Sequence, residues 1–241
     1  MDILLNIQTK DIISIVGSGG KTTLLFYLAN QLAKRQTKKP ILVTTTTKIY
    51  KPHTDLFEDE ILLPPFDLTY LKSGKIYLAG NKIVDHKVEG LNFQQLDQLK
   101  PYFDNMLIEA DGSKELPYKA WRESEPVIYP KTTKTVGVFP LKYMDFPVSN
   151  RIVFQKELFL KKFSKSGMID IETILNIIND QEGLFKQAIG KKFVYFNQIE
   201  DLSWERINQW MNQLKDVKDI KILVGSTIKE EFYEINSNYY G

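Results

Sequence analysis

Residues 12–23 read IISIVGSGGKTT, an apolar run followed by three glycines, a lysine and two threonines. Apolar residues at helical spacing come next, so the stretch predicts a strand, a tight turn and a helix. This is the context of a phosphate-binding loop, in which glycines let backbone N–H groups turn inward and the helix start favours an anion. In such a loop, Lys21 would contact the terminal phosphates and Thr22 a magnesium ion. The predicted nucleotide-binding residues are Gly17, Ser18, Gly19, Gly20, Lys21, Thr22 and Thr23.

The loop is shorter than the common phosphate-binding pattern. That pattern has a glycine five positions before the glycine of its Gly-Lys pair, and here Ile15 stands at that position, inside the predicted strand. Short loops of the form Gly-x-x-Gly-Lys-Thr-Thr resemble those of Mur-type ATP-dependent ligases. The loop is therefore similar both to the common phosphate-binding loop and to the loop of Mur-type ligases.

Five further apolar runs alternate with helical periods along the chain, at residues 41–43, 106–108, 136–139, 193–196 and 222–224. Continuous apolar runs are typical of strands buried on both faces of a parallel sheet. We predict an α/β, three-layer P-loop NTPase-like fold with a mainly parallel sheet, as a single domain over residues 1–241. Residues 75–85 predict an edge hairpin that turns at Gly80 and Asn81. Residues from about 146 to 190 predict a helical insertion.

The composition excludes several classes of protein. The chain has no cysteine, which excludes a disulfide framework, an iron–sulfur cluster and a cysteine nucleophile, and its two histidines disfavour a His-based metal site. The formal charge of +2 argues against electrostatically driven binding to nucleic acid. No apolar run is long enough to cross a membrane, and the N-terminus lacks the features of a signal peptide. We therefore expect a cytoplasmic protein with neither a nucleic-acid nor a membrane partner.

Two acids follow the apolar run 106–108, and they are predicted to complete the site. Glu109 and Asp111 are spaced so that both side chains lie on one face of a strand. A phosphate loop needs an acid at the end of another strand to hold the metal or to position the attacking group. Asp111 is predicted to be the magnesium ligand with Thr22, because it stands at the mouth of the strand. Glu109 is predicted to orient water or Asp111.

Two further strand ends carry polar residues that suit a nucleotide. The run 41–43 ends in four threonines and Lys48, and Thr46 and Lys48 are predicted to contact phosphate, since ligands of open α/β sheets bind at the carboxyl ends of strands. The run 193–196 ends in Asn197, with Glu200 three residues later, which is similar to the guanine-reading motif of GTPases. Asparagine is also an ordinary turn residue. The cofactors expected are Mg²⁺ and either ATP or GTP.

With these motifs in hand, the chain resembles the YqeC-like family of accessory proteins for selenium-dependent molybdenum hydroxylases. The resemblance lies in residues 17–23, 44–49 and 109–120, and it covers residues from about 10 to 150 well. It implies a P-loop NTPase fold, and active-site roles for Asp111 and Lys119 beside the nucleotide contacts of the loop. It also implies a part in maturing a selenium or molybdenum cofactor, with a molybdenum hydroxylase apoprotein as a partner. Near Arg151 the chain reads NRIV where the family tends to show a His-Arg-Pro-Glu-like stretch, so the role of that histidine does not carry over.

Three functions are compatible with these residues. The first is a nucleoside triphosphate-hydrolysing accessory protein, with Lys21, Glu109, Asp111 and Lys119 as its catalytic residues. The second is an ATP-dependent ligase or kinase that acts on an anionic small molecule. The third is a nucleotide-gated binding module without turnover. Lys114, Lys119 and Arg122 follow the acids and are cations suited to an anionic second substrate such as selenophosphate or a pterin phosphate.

Overall fold

The computed structural model describes residues 1–35, 37–58, 61–214 and 217–235. The strands over these residues are β1 (Ile12–Gly17), β2 (Ile41–Thr45), β3 (Lys48–Tyr50), β4 (Ile76–Leu78), β5 (Ile83–Val84), β6 (Lys87–Glu89), β7 (Asn105–Glu109), β8 (Tyr118–Lys119), β9 (Lys134–Pro140), β10 (Val153–Phe154), β11 (Lys191–Asn197), β12 (Ile220–Ser226) and β13 (Glu231–Glu234). The α-helices are α1 (Lys21–Ala33), α2 (Phe93–Leu99), α3 (Lys156–Lys162), α4 (Ile171–Asn179) and α5 (Trp204–Met211).

An eight-stranded sheet forms the centre of the fold. Its order is β13-β12-β11-β9-β1-β7-β2-β4, and every neighbouring pair is parallel except β12 with β13. The phosphate-loop strand β1 lies between β7 and β9, with Ile15 opposite Glu109 and Gly17 opposite Val138. The loop that follows β1 therefore meets the ends of both neighbouring strands.

Helices cover both faces of the sheet, because successive residues of each buried strand point to opposite sides. Ile13 and Ile15 pack with α1 and the N-terminal residues on one face. Ile12 packs with α2, and Val16 packs with α3, α4 and α5, on the other face. This arrangement is the three-layer α/β fold with a mainly parallel sheet that the sequence predicts. Among the described residues, no helix is long and apolar enough to cross a membrane.

The strand predictions are confirmed at all six apolar runs, but the predicted hairpin turn is wrong. Residues 76–78 form β4, which pairs in parallel with β2 at the sheet edge and has no hairpin partner at Gly80 and Asn81. The hairpin of this region instead joins β5 to β6 and turns at Asp85 and His86, both with positive φ. The segment 146–190 holds β10, α3 and α4.

Candidate functional site

The phosphate loop turns tightly between β1 and α1 because two of its positions accept only glycine. Gly17 and Gly20 have φ of +93° and +118°, which side chains rarely adopt. A Cβ at Gly17 would lie 2.4 Å from the Val138 carbonyl oxygen, and one at Gly20 would lie 2.4 Å from the Asn197 amide nitrogen. The glycines thus let the loop lie directly against β9 and β11.

The start of α1 leaves its backbone donors free. The helix begins at Lys21, and Gly20 provides no side-chain cap. Among the described residues, the N–H groups of residues 19–23 donate no hydrogen bond to the protein, whereas the Gly17 and Ser18 N–H groups donate to Asp111 and Val138. Free N–H groups at the positive end of a 13-residue helix form an anion-binding concavity.

Lys21 lies buried under this concavity, between two carboxylates. Its Nζ donates to the Gly17 carbonyl at 2.8 Å and lies 3.2 Å from Asp111 Oδ1 and 3.5 Å from Glu109 Oε1. Burial alone would lower the pKa of the ammonium, but the carboxylates of Asp111 and Glu109 outweigh it and raise that pKa. Lys21 is therefore a cation held at the loop.

Glu109, at the end of β7, contacts the first helical turn. Its Oε2 accepts a hydrogen bond from the Thr22 hydroxyl at 2.7 Å. Burial raises the pKa of the Glu109 carboxyl, and Lys21 and Thr22 offset part of that rise. A carboxylate joined to the loop hydroxyl provides hard oxygen donors of the kind that Mg²⁺ prefers.

The described residues contain no group of three or more His, Cys, Asp and Glu side chains that could hold a metal ion by themselves. Mg²⁺ commonly binds through one or two carboxylates together with substrate phosphates. Thr22 and Glu109 fit such a site, in which phosphate oxygens would supply the remaining ligands.

Asp111 is fully buried and already engaged by protein donors. Its Oδ2 accepts hydrogen bonds from the Gly17 N–H at 3.0 Å and from Trp121 Nε1 at 2.7 Å, and lies 3.4 Å from Lys119 Nζ. Burial would raise the pKa of the Asp111 carboxyl, but Lys21, Lys119 and these donors outweigh it and lower that pKa. Its Oδ1, 3.2 Å from Lys21 Nζ, accepts no hydrogen bond from the described residues. The sequence predicts Asp111 as a magnesium ligand, and this stays a prediction; in the structure its carboxylate fixes the Gly17 N–H.

Lys119 connects this cluster to the next segment. Its buried Nζ donates to the Gly112 carbonyl and to Glu125 at 3.0 Å, besides its ion pair with Asp111. Lys119 therefore holds the segment after β7 against Asp111, and its ammonium is occupied by these three groups.

The threonines at the end of β2 and directly after it bond mainly to other protein groups. The hydroxyl groups of Thr44, Thr45 and Thr46 donate to the carbonyls of Ala79, Glu109 and Val127. Lys48 is exposed and pairs with Glu89 at 2.6 Å. Of the two residues predicted to contact phosphate in this run, Lys48 lines the cleft described below and Thr46 does not.

Asn197 supports the loop from β11. Its Nδ2 donates to the Gly19 carbonyl at 3.1 Å, and its Oδ1 accepts from Tyr195, the Thr227 N–H and the Thr227 hydroxyl. Glu200 likewise accepts from Ser226. The two residues predicted to read the base are thus engaged with other protein groups.

A cleft of about 600 Å³ opens over the loop. The predicted residues that line it are Gly19, Gly20, Lys21, Thr22, Thr23, Lys48, Glu109, Lys114 and Arg122. The predicted residues that do not line it are Gly17, Ser18, Thr46, Asp111, Lys119 and Asn197. Further wall residues that sequence reasoning missed include Lys51, Lys87 and Phe154. They come from segments with no motif of their own, and only the fold brings them to the loop.

Trp121, whose indole N–H donates to Asp111, is another residue that the sequence did not single out. It directly follows the segment that the family resemblance singled out, so its position in the chain was the available signal.

Comparisons with known proteins agree with the resemblance seen in the sequence. The sequence model of the family described as YqeC protein matches residues 13–157. The uncharacterized protein YqeC of Escherichia coli (strain K12) is 31% identical over 185 residues, which cover 73% of this chain and 71% of that protein. No solved structure matches the chain.

Proposed function

The chain belongs to the YqeC family, and from the geometry of its loop we propose that it binds and hydrolyses a nucleoside triphosphate with Mg²⁺. The observation that carries this proposal is the set of unpaired N–H groups at residues 19–23 together with the Lys21 ammonium beside them. A triphosphate supplies the oxygens that these donors lack.

Different residues of the site would bind the phosphates, hold the metal and keep the loop in place. The N–H groups of the loop would bind the phosphates, and Lys21 would leave its carboxylate contacts to bind the terminal one. Thr22 and Glu109 would hold Mg²⁺, which neutralises the charge that develops on the β- and γ-phosphates. Asp111 would keep Gly17 in place through its N–H group, so that the donors point into the cleft.

The role in maturing a selenium or molybdenum cofactor, for a molybdenum hydroxylase apoprotein, is part of this proposal. Its support is the family resemblance in residues 17–23, 44–49 and 109–120. The nucleotide would supply the energy of that maturation step.

A second candidate is a ligase or kinase that acts on an anionic acceptor. The observation that favours it is the charge of the cleft, whose lining includes six basic residues against three acidic ones. A magnesium-bound triphosphate at Lys21 leaves most of these cations without a partner.

Phosphate release, measured with ATP and GTP in the presence of Mg²⁺, separates the functions. Slow phosphate release without an acceptor supports the hydrolase. Release of the nucleoside diphosphate only with an anionic acceptor supports the ligase or kinase. Tight binding without turnover would leave a nucleotide-gated binding module.

A further inference from the structure

Thr22 and Glu109 define the side of the cleft at which a terminal phosphate would lie. The metal of phosphate-loop proteins is held by the loop hydroxyl and bridges the β- and γ-phosphates. Here that hydroxyl bonds to Glu109, at the end of β7. The terminal phosphate would therefore lie near the end of β7. This step rests on the proposed function.

Four cations line the part of the cleft that is formed by the segment after β7 and by the small sheet of β3 and β6. Lys51, Lys87, Lys114 and Arg122 are all in its wall, and within the described ranges none has a carboxylate oxygen within 4.0 Å. Lys48, in the same wall, differs because Glu89 neutralises it. Within the described part of the chain, these four charges therefore have no anionic partner.

Two of these cations are held in place by Phe154. Strand β8 pairs with β10 so that Lys119 lies opposite Phe154. The Lys114 ammonium lies 5.1 Å and the Arg122 guanidinium 5.5 Å from the centre of the Phe154 ring. With its amide oriented to accept, the Gln155 oxygen lies 2.9 Å from Arg122 Nε and 2.7 Å from an Arg122 Nη. An oriented guanidinium loses less conformational entropy when it binds an anion.

The backbone that carries Lys114 is constrained and joined to the phosphate loop. Lys114 and Glu115 have φ of +50° and +63°, a conformation that is costly for residues other than glycine and clusters at functional sites. The buried Ser18 hydroxyl donates to the Pro117 carbonyl at 2.6 Å. The wall with Lys114 therefore lies directly beside the loop that would bind the triphosphate.

We propose that this side of the cleft is the binding site of a second substrate, a phosphorylated small molecule. Lys114 and Arg122 bind its phosphate group, and Lys51 and Lys87 face it from the β3–β6 side. A phosphate dianion suits this set, because it has three acceptor oxygens and a guanidinium can bind two of them at once. The substrate lies next to the terminal phosphate of the nucleotide.

Calorimetric titration with inorganic pyrophosphate tests the site while the nucleotide site is saturated by Mg²⁺ and a β,γ-imido nucleoside triphosphate. The parent should bind one pyrophosphate. The variant Lys114→Ala/Arg122→Ala should weaken pyrophosphate binding at least about tenfold, through the loss of charge-assisted hydrogen bonds, and should leave the nucleotide dissociation constant unchanged. A matched control is Lys161→Ala/Lys165→Ala, which removes two exposed cations outside the cleft and should bind both ligands like the parent.

Three outcomes would overturn the proposal: no pyrophosphate binding by the parent, equal binding by the double variant, or a parallel loss of nucleotide affinity in it. If the parent binds no nucleotide, the proposed function fails, and the second site is tested in Lys21→Gln without nucleotide. Pyrophosphate binding that persists in Lys21→Gln and is lost on adding Lys114→Ala/Arg122→Ala supports the second site. Loss of binding in Lys21→Gln itself overturns it.

Discussion

The two ends of the central sheet each hold a largely buried ion cluster, and the two clusters differ in how completely they are satisfied. At the amino end of β1, both Asp11 oxygens accept hydrogen bonds, from Thr133, the Gln8 N–H and Lys134. At the carboxyl end, Lys21 is shared between two carboxylates, and Asp111 Oδ1 accepts no hydrogen bond from the described residues.

This difference separates a structural cluster from a binding one. Buried polar groups in proteins are nearly always satisfied, so an unsatisfied group calls for an explanation. The pair at the amino end is balanced, one anion with one cation, and needs no ligand. Among the described residues, the cluster at the carboxyl end lies beside a row of free N–H groups, which a phosphate would bind, and Mg²⁺ would be held by Glu109 and Thr22.

The largest effect is expected from Lys21→Ala. Loss of the ammonium should weaken nucleoside triphosphate binding by roughly 100-fold, which corresponds to about 3 kcal/mol of charge-assisted hydrogen bonding. Calorimetric titration measures the affinity, and Lys161→Ala is the control for the loss of one lysine charge. Removing Lys21 also leaves Glu109 without its cation and Asp111 with Lys119 alone, so Lys21→Gln is a second variant that keeps a hydrogen-bond donor. An unchanged affinity in both variants would mean that the loop is a structural turn.

The next largest effects are expected from Glu109 and Asp111, and substitutions of these two acids should change different properties. Glu109→Gln should keep the fold but remove the dependence of nucleotide affinity on Mg²⁺, because an amide oxygen is a weaker ligand for a hard cation. Asp111→Asn should instead lower the free energy of unfolding by roughly 3–5 kcal/mol, since it breaks a buried ion pair with Lys119. Denaturant unfolding and titrations with and without Mg²⁺ measure both. If Asp111→Asn instead removed the dependence on Mg²⁺ and Glu109→Gln lowered the free energy of unfolding, Asp111 would be the magnesium ligand.

Substitutions in the amino-end cluster of Asp11 and Lys134 should change the stability of the fold and not the nucleotide affinity. Burial would raise the pKa of the Asp11 carboxyl, but Lys134, Thr133 and the Gln8 N–H outweigh it and lower that pKa. A lowered pKa stabilises the fold above the ordinary value of 3.8, and this contribution is lost as the pH falls through the folded value. Asp11→Asn should therefore lower the melting temperature at pH 7 by the equivalent of roughly 1–3 kcal/mol and flatten its fall below pH ~4.

Nucleotide affinity in Asp11→Asn should equal that of the parent. A change in affinity would show that the two ends of the sheet are coupled, and it would contradict the separation of a structural from a binding cluster.

The smallest effect is expected for the choice of base. Asn197 and Glu200 are engaged with Gly19, Thr227 and Ser226, so we expect ATP and GTP to differ by less than about tenfold, or ~1.4 kcal/mol. Competition between the two nucleotides measures the ratio. A larger preference for GTP that Glu200→Ala removes would instead support guanine reading by Glu200.

The sequence predicts the core of the fold and the phosphate loop because both depend on local patterns. Continuous apolar runs indicate buried strands wherever they occur. The glycines of residues 17–20 indicate a tight turn that has no room for side chains. The spacing of Glu109 and Asp111 predicts that both acids lie together, and both are within 3.5 Å of Lys21.

The remaining features depend on long-range contacts that no local pattern reports. Asp111 lies beyond the end of β7, and its environment comes from Gly17, 94 positions away, and from Trp121. The hairpin turn forms at Asp85 and His86, which adopt positive φ without glycine, whereas the glycine at position 80 lies in a connection after β4. Lys87 lies in β6, Phe154 lies in β10 and Lys51 directly follows β3. Only the pairing of these short strands into small sheets brings the three residues to the cleft.

The melting temperature of the parent with ATP or GTP, each with and without Mg²⁺, tests the central claim most directly. Nucleotide at about 100 times its dissociation constant should add roughly 2.7 kcal/mol to the free energy of unfolding, which raises the melting temperature by several degrees for a chain of this size. We predict such a rise with at least one nucleotide, a larger rise with Mg²⁺, and in Lys21→Ala, with its ~100-fold weaker affinity, a rise equivalent to only about 0.4 kcal/mol. A melting temperature that neither nucleotide changes, with or without Mg²⁺, would contradict a nucleotide site at this loop.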